Sequence, residues 1–254
     1  MTLRTTAARG TVPLDMQASR EHRCCVVITA RARCVLLRCG VVAGPLFVAT
    51  FTVHGAALPG YDARHHPVSS LALAPYGWIQ TANFVVAGCL YSALAAGLGL
   101  SGPQPRNRLA AGLVGAAAAG LVGAGAFTTD PVSGYPPGTP DALPGYSGTP
   151  AALHDLLSVP TFLGLPAAAA VYARAFARTG ATGWARYSAL TAIVMLATVG
   201  LASAAFSQAP ALVANGGLYQ RAAVTTGFAW LTALALHNLR MTERTPFRGR
   251  DRLI

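Results

Sequence analysis

Imidazole, carboxylate, hydroxyl and amide groups collect in a few short stretches of this 254-residue chain. The densest runs from Asp62 through His65, His66, Ser69 and Ser70 to Gln80 and Asn83. Asp130 stands alone before Pro131, His154, Asp155 and Ser158 follow, and Gln220 and Arg221 come last. Two chemistries can be built from these residue types. His65 or His66, with Asp130 and His154, would offer a zinc ion the nitrogen and oxygen ligands it accepts. Alternatively, Ser69 or Ser70 would be a nucleophile activated by His154, with Asp130 orienting the ring. Neither chemistry has a local signature. There is no His-x-x-x-His pair and no Gly-x-Ser-x-Gly turn, and Pro67 biases His66 away from helix. Any site must therefore be assembled from separate elements.

Those elements are apolar. Hydrophobic residues make up 53% of the chain and charged ones 11%, well below the roughly one-quarter charged content of an ordinary soluble domain. Six apolar stretches, Leu36 to Leu58, Trp78 to Leu100, Leu109 to Phe127, Leu153 to Tyr172, Trp184 to Phe206 and Leu218 to Leu239, each have about the 20 residues that cross a bilayer core. Continuous runs of this kind satisfy their backbone in lipid as helices. The fold expected is an all-α, polytopic six-helix transmembrane bundle over residues 36–240. Residues 1–35 read as a disordered cytoplasmic extension and 241–254 as a basic cytoplasmic tail.

The net charge of +11 does not point to nucleic acid, because the arginines sort by connection. They are dense before the first span, between spans two and three, between four and five, and after the last, whereas the alternate loops hold only Arg64 and Arg221. By the positive-inside rule both termini are cytoplasmic and the other three connections lie outside. Tyr76, Trp78, Trp184 and Trp230 read as interface anchors. Small residues at fourfold spacing in the third stretch, Gly112, Ala116, Gly120 and Ala124, allow close helix contact, within the bundle or as a homodimer face. Pro160 and Pro166 each remove a hydrogen bond from the fourth. Asp130 ends the third helix, where the dipole disfavours a carboxylate, so it needs a cation. Arg221, the isolated arginine opening the sixth stretch, is the expected partner.

Five segments carry a family resemblance: His66-Pro-Val-Ser-Ser-Leu-Ala72, Gly77-Trp-Ile-Gln-Thr-Ala-Asn-Phe84, Gly125-Ala-Phe-Thr-Thr-Asp-Pro131, Leu153-His154 and Gln220-Arg221. In this order and spacing the chain, from about Leu37 to Arg240, resembles the bacterial membrane proteins of domain-of-unknown-function family 998. The resemblance implies a six-span bundle with no established activity.

The protein is thus expected in a bacterial cytoplasmic membrane, with the lipid bilayer as its surroundings and no nucleic-acid partner. An outward-facing polar pocket of His66, Gln80, Asn83, Asp130, His154, Ser158 and Arg221 would bind or sense a small molecule or lipid. A membrane hydrolase using the His, Asp and Ser groups, with or without zinc, is the alternative, and a small-solute transporter the next.

Overall fold

The computed structural model describes residues 14–100 and 107–244, with side chains from residue 30 onward. It contains six long helices: α1 Leu14–Ala57, α2 Trp78–Gly99, α3 Arg108–Ala126, α4 Thr149–Arg178, α5 Thr182–Phe206 and α6 Gly216–Arg244. Short 3-10 helices, Ser69–Leu73 and Val213–Asn215, lie in two of the connections. Each of the six expected stretches falls within one helix, to within two residues at any end. Five helices are long and apolar enough to cross a membrane, that of α1 beginning at Ala30. α6 is long enough but carries His237 and Asn238 in its apolar run. Its inward face is well covered, with Trp230, Leu231, Leu234 and Ala235 fully buried.

One boundary differs from expectation. α1 starts at Leu14, so the described part of the segment read as a disordered extension is helical. No glycine or proline falls between residues 14 and 39, and nothing interrupts the helix upstream of the membrane. Residues 1–13 and the end of the basic tail, 245–254, lie outside the described residues.

Each helix packs against its neighbours in sequence, and α6 closes against α1, giving an up-and-down ring. The connections α1–α2, α3–α4 and α5–α6 therefore share one end. Because lipid tails are as apolar as leucine, association in a bilayer rests on close packing and interhelical hydrogen bonds. The α3–α4 contact shows both. A Cβ on Gly120 would lie 2.7 Å from the Leu157 carbonyl and 2.7 Å from Thr161 Oγ1, and that hydroxyl donates to the Ala117 carbonyl at 2.9 Å. Gly120 and Ala124 are thus consumed inside the bundle, whereas Gly112 and Ala116 of the same stripe face outward.

Trp78 and Tyr76 are exposed, as interface anchors would be, but Trp230 is not: it is fully buried and its indole N–H donates to Ser188 Oγ at 3.0 Å. Arg33, one of the arginines that set the expected topology, is also buried. It ties three helices together at the opposite end of the ring, donating to the Gly97 carbonyl at 3.2 Å, to Asn238 Oδ1 at 3.0 Å and to Thr242 Oγ1. Gly97 lies in the last turn of α2, where carbonyls lack helical partners and a cation is favoured.

Candidate functional site

The three connections at one end of the ring fold onto each other. Arg221, in the second turn of α6, is the hub. Its guanidinium donates to the carbonyls of Ala63 at 2.6 Å, His66 at 2.9 Å and Gly217 at 3.0 Å, and to the Tyr61 hydroxyl. It also lies over the Phe51 and Tyr61 rings, 5.6 and 5.5 Å from their centroids, where ring quadrupoles favour a cation. The first N–H groups of α6 are used in the same clamp: Gly217 donates to the His65 carbonyl at 3.2 Å and Leu218 to that of Arg64 at 3.0 Å. Only glycine fits at 217, because a Cβ would come within 2.6 Å of two loop carbonyls, those of His66 and Ala63.

His66 joins the first loop to the second. Its Nδ1 accepts from the Asp62 N–H at 2.9 Å, and its ring packs against Tyr61 and Tyr135, 5.5 and 5.0 Å between centroids. His65 donates through Nδ1 to the Val213 carbonyl at 2.8 Å. The second loop is held at both ends. Asp130 accepts from the Ser147 N–H at 2.9 Å and from the Ser147 hydroxyl, and the Asp141 carbonyl accepts from Ser133 N–H at 2.8 Å and Gln208 Nε2 at 2.9 Å. The expected Asp130–Arg221 ion pair is therefore not formed. Backbone carbonyls and a phenol hold the cation, and a serine satisfies the carboxylate.

Beneath these loops a cavity of about 680 Å³ runs into the ring, within the several-hundred Å³ range typical of ligand pockets. Of the expected pocket and site residues, Ser69, Asp130, His154 and Ser158 line it, joined by Gln220, Asp155 and Tyr146. His65, His66, Ser70, Gln80, Asn83 and Arg221 do not. The first two and Arg221 belong to the loop clamp. Gln80 and Asn83 are buried against α1, Asn83 Nδ2 donating to the Phe47 carbonyl at 3.1 Å and to Gln80 Oε1 at 3.3 Å. Ser70 is fully buried, its hydroxyl without a partner among the described residues. The deeper wall is apolar, with Phe47, Phe84, Leu121, Phe162, Val224 and Phe228.

His154 links the fold to the cavity. Its Nδ1 stands 2.9 Å from the carbonyls of both Ala124 and Phe127. Two acceptors require Nδ1 to carry the proton, so the side chain closes the C-terminus of α3, where unpaired carbonyls need donors. The neutral ring then has Nε2 as its acceptor. Ser158 Oγ donates to the His154 carbonyl, 2.7 Å away, and not to the ring. Nothing here makes the nucleophile–base–acid chain that a serine hydrolase needs. Likewise, no three His, Cys, Asp or Glu side chains are grouped to hold a metal among the described residues. The zinc candidates His65, His66, Asp130 and His154 divide between the clamp and the cavity, which is why their convergence fails.

Burial lowers the His66 pKa from its usual value, with His65 adding to the effect, while Asp62 and the Ser133 backbone oppose it. The folded protein therefore favours the neutral ring, whose bare Nδ1 the Asp62 N–H requires. The stability this gives is complete above the unfolded value of about 6.5 and is lost as pH falls through the lower folded value. Thermal melting from about pH 7.5 down to about pH 5.5 should show a larger loss for the wild type than for His66→Gln. Equal losses would show that another group controls the response. At the cavity mouth, the Asp155 carboxylate pushes the Tyr146 phenol up.

The model of a family described as a protein of unknown function, DUF998, matches residues 41–237. No curated protein and no solved structure matches the chain. The matched span runs from the C-terminal half of α1 to the last turns of α6 and includes the clamp, both its loops and the cavity, so this all-helical chain belongs to the domain-of-unknown-function family 998.

Proposed function

We propose that the protein is an integral membrane binding protein that holds a small amphiphilic molecule or lipid in the cavity under the three connected loops. The observation that carries this reading is the division of the cavity: its ionisable and amide groups, Asp130, His154, Asp155 and Gln220, stand at the loop end, and the wall below is mainly aromatic and aliphatic, where the Thr161 hydroxyl is spent on the Ala117 carbonyl. A solute with one wet and one dry end matches both parts. A fully polar solute would leave the deep wall unsatisfied, and a pure hydrocarbon would strip water from the polar end without replacing its hydrogen bonds. The arginine distribution supports a bacterial cytoplasmic membrane with both termini inside, which puts the cavity mouth on the outer side.

Ser158 offers a clean test. Its hydroxyl bonds only within its own helix, so Ser158→Phe fills the cavity without breaking a contact between helices. The variant is expected to keep the wild-type melting temperature within a few degrees and to lose the amphiphiles that the wild type retains through detergent purification, read by native mass spectrometry. Equal retention by the two proteins would place those molecules on the outer surface and remove the proposal.

A further inference from the structure

We infer that the ligand of this cavity is a single-chain lipid or similar long-chain amphiphile, with an uncharged or cationic hydrogen-bond-donating head, which enters sideways from the bilayer between α4 and α5. The inference rests on the proposed binding function and adds a route and a head-group class.

The route follows from which wall residues are also exposed. Within the helices lining the cavity, Phe47 of α1, Phe84 of α2, Leu121 of α3 and Phe228 of α6 are at most 7% exposed. On α4, by contrast, Val159 and Leu163 line the cavity while being 45% and 52% exposed. They stand four residues apart on one helix face. Across from them on α5, Val199 and Ser203 repeat the spacing, and Ser203 is exposed as well. A side chain that faces both the cavity and the outside marks an opening. Leu163 lies about 20 Å along α4 from its start, whereas Ser203 is in the last turn of α5, so the slot runs from just under the loops down to the depth of acyl chains. Pro160, on the same stretch of α4, cannot donate a backbone hydrogen bond there.

The head-group class follows from hydrogen-bond accounting at the polar end. Asp130 and Asp155 bring carboxylates, and among the described residues no arginine lines the cavity. Arg221, the cation that an anionic head would need, does not line the cavity and turns its Nη groups to three carbonyls and a phenol in the clamp. His154 commits its Nδ1 proton to α3, and in that tautomer its Nε2 is an acceptor. The end is rich in acceptors and negative in charge, so it favours heads that donate and disfavours phosphate.

Three probes separate these claims: monooleoylglycerol, its phosphate ester, and water-soluble monobutyrylglycerol, each offered to the protein in phosphatidylcholine nanodiscs and counted by native mass spectrometry. The wild type should retain monooleoylglycerol about tenfold better than the phosphate ester. Leu163→Trp with Ser203→Trp, which plugs the slot, should lose monooleoylglycerol by a similar factor while still taking the short ester through the loop mouth. Ser203→Leu serves as a milder plug if the double variant melts early. Undiminished monooleoylglycerol in the plugged proteins would overturn the route, and a preference for the phosphate ester would overturn the head-group class, both leaving the cavity as a site. Failure of the wild type to hold either glycerol ester would remove the binding function itself.

Discussion

Arg221→Met should destabilise the protein by about 2 to 4 kcal/mol, among the largest effects of any single change. The substitution keeps most of the aliphatic stem but removes donors from three backbone carbonyls and from the Tyr61 hydroxyl. Hydrogen bonds to a charged group contribute about 1.5 to 3 kcal/mol each, and a buried carbonyl left bare costs about 1 to 3. Arg221 is only partly buried, so water replaces part of what is lost and the sum stays well below the additive value. Arg221→Lys keeps the charge but not the planar fan of donors, and should recover less than half. Asp130→Asn should cost under about 1 kcal/mol, since an amide oxygen still accepts from Ser147. Because the two side chains have separate partners, the double variant should be additive to within about 0.5 kcal/mol by denaturant titration. Coupling above about 1 kcal/mol would mean that the two groups pair after all.

The second large effect reverses sign along a single helix. Gly120→Ala should destabilise by about 2 to 3 kcal/mol, because its methyl group would strike the Leu157 carbonyl and Thr161 Oγ1 at 2.7 Å, and backbone cannot yield as a flexible side chain does. Gly112→Ala, eight residues earlier in the same small-residue stripe, meets nothing within 4 Å and should be stabilising by up to about 1 kcal/mol through helix propensity. Melting of the two variants beside the wild type checks both signs. A destabilised Gly112→Ala protein, together with a change in oligomeric state, would mean that a second copy packs on that outward face.

The helices were readable because the requirement of a bilayer is simple: a run of about 20 apolar residues has few alternatives to a spanning helix. The end of the bundle that carries the polar groups was readable for the same reason, since alternate connections must share an end. How those groups divide was not. His66 and Arg221 looked like site residues and are braces, because loop carbonyls, which every sequence carries and no sequence motif displays, turned out to be their partners. Asp130 needed a partner, as the helix dipole argued, but a serine seventeen positions on supplied it. Arg33 read as a topological signal and proved to be a buried tie among three helices. Of the expected site, His154, Asp130, Ser69 and Ser158 reached the cavity together. Gln220 was visible as an amide beside Arg221, and its 2.7 Å acceptance of the Val68 N–H shows how it is held at the rim. Neither Leu163 nor Val159 could be singled out in advance, because an apolar residue at a slot has the same sequence signature as one facing lipid.

The central claim, that an amphiphile occupies the cavity, is tested most directly by placing a photoreactive benzoylphenylalanine at Leu121. This position lines the cavity from α3 and is 5% exposed, so a small molecule captured there was inside the ring. Irradiation in the native membrane followed by intact-mass measurement should give a discrete adduct of small-molecule mass, and Ser158→Phe should abolish it. Crosslinks only between α3 and neighbouring helices, with no small-molecule adduct in the wild-type background, would contradict the account.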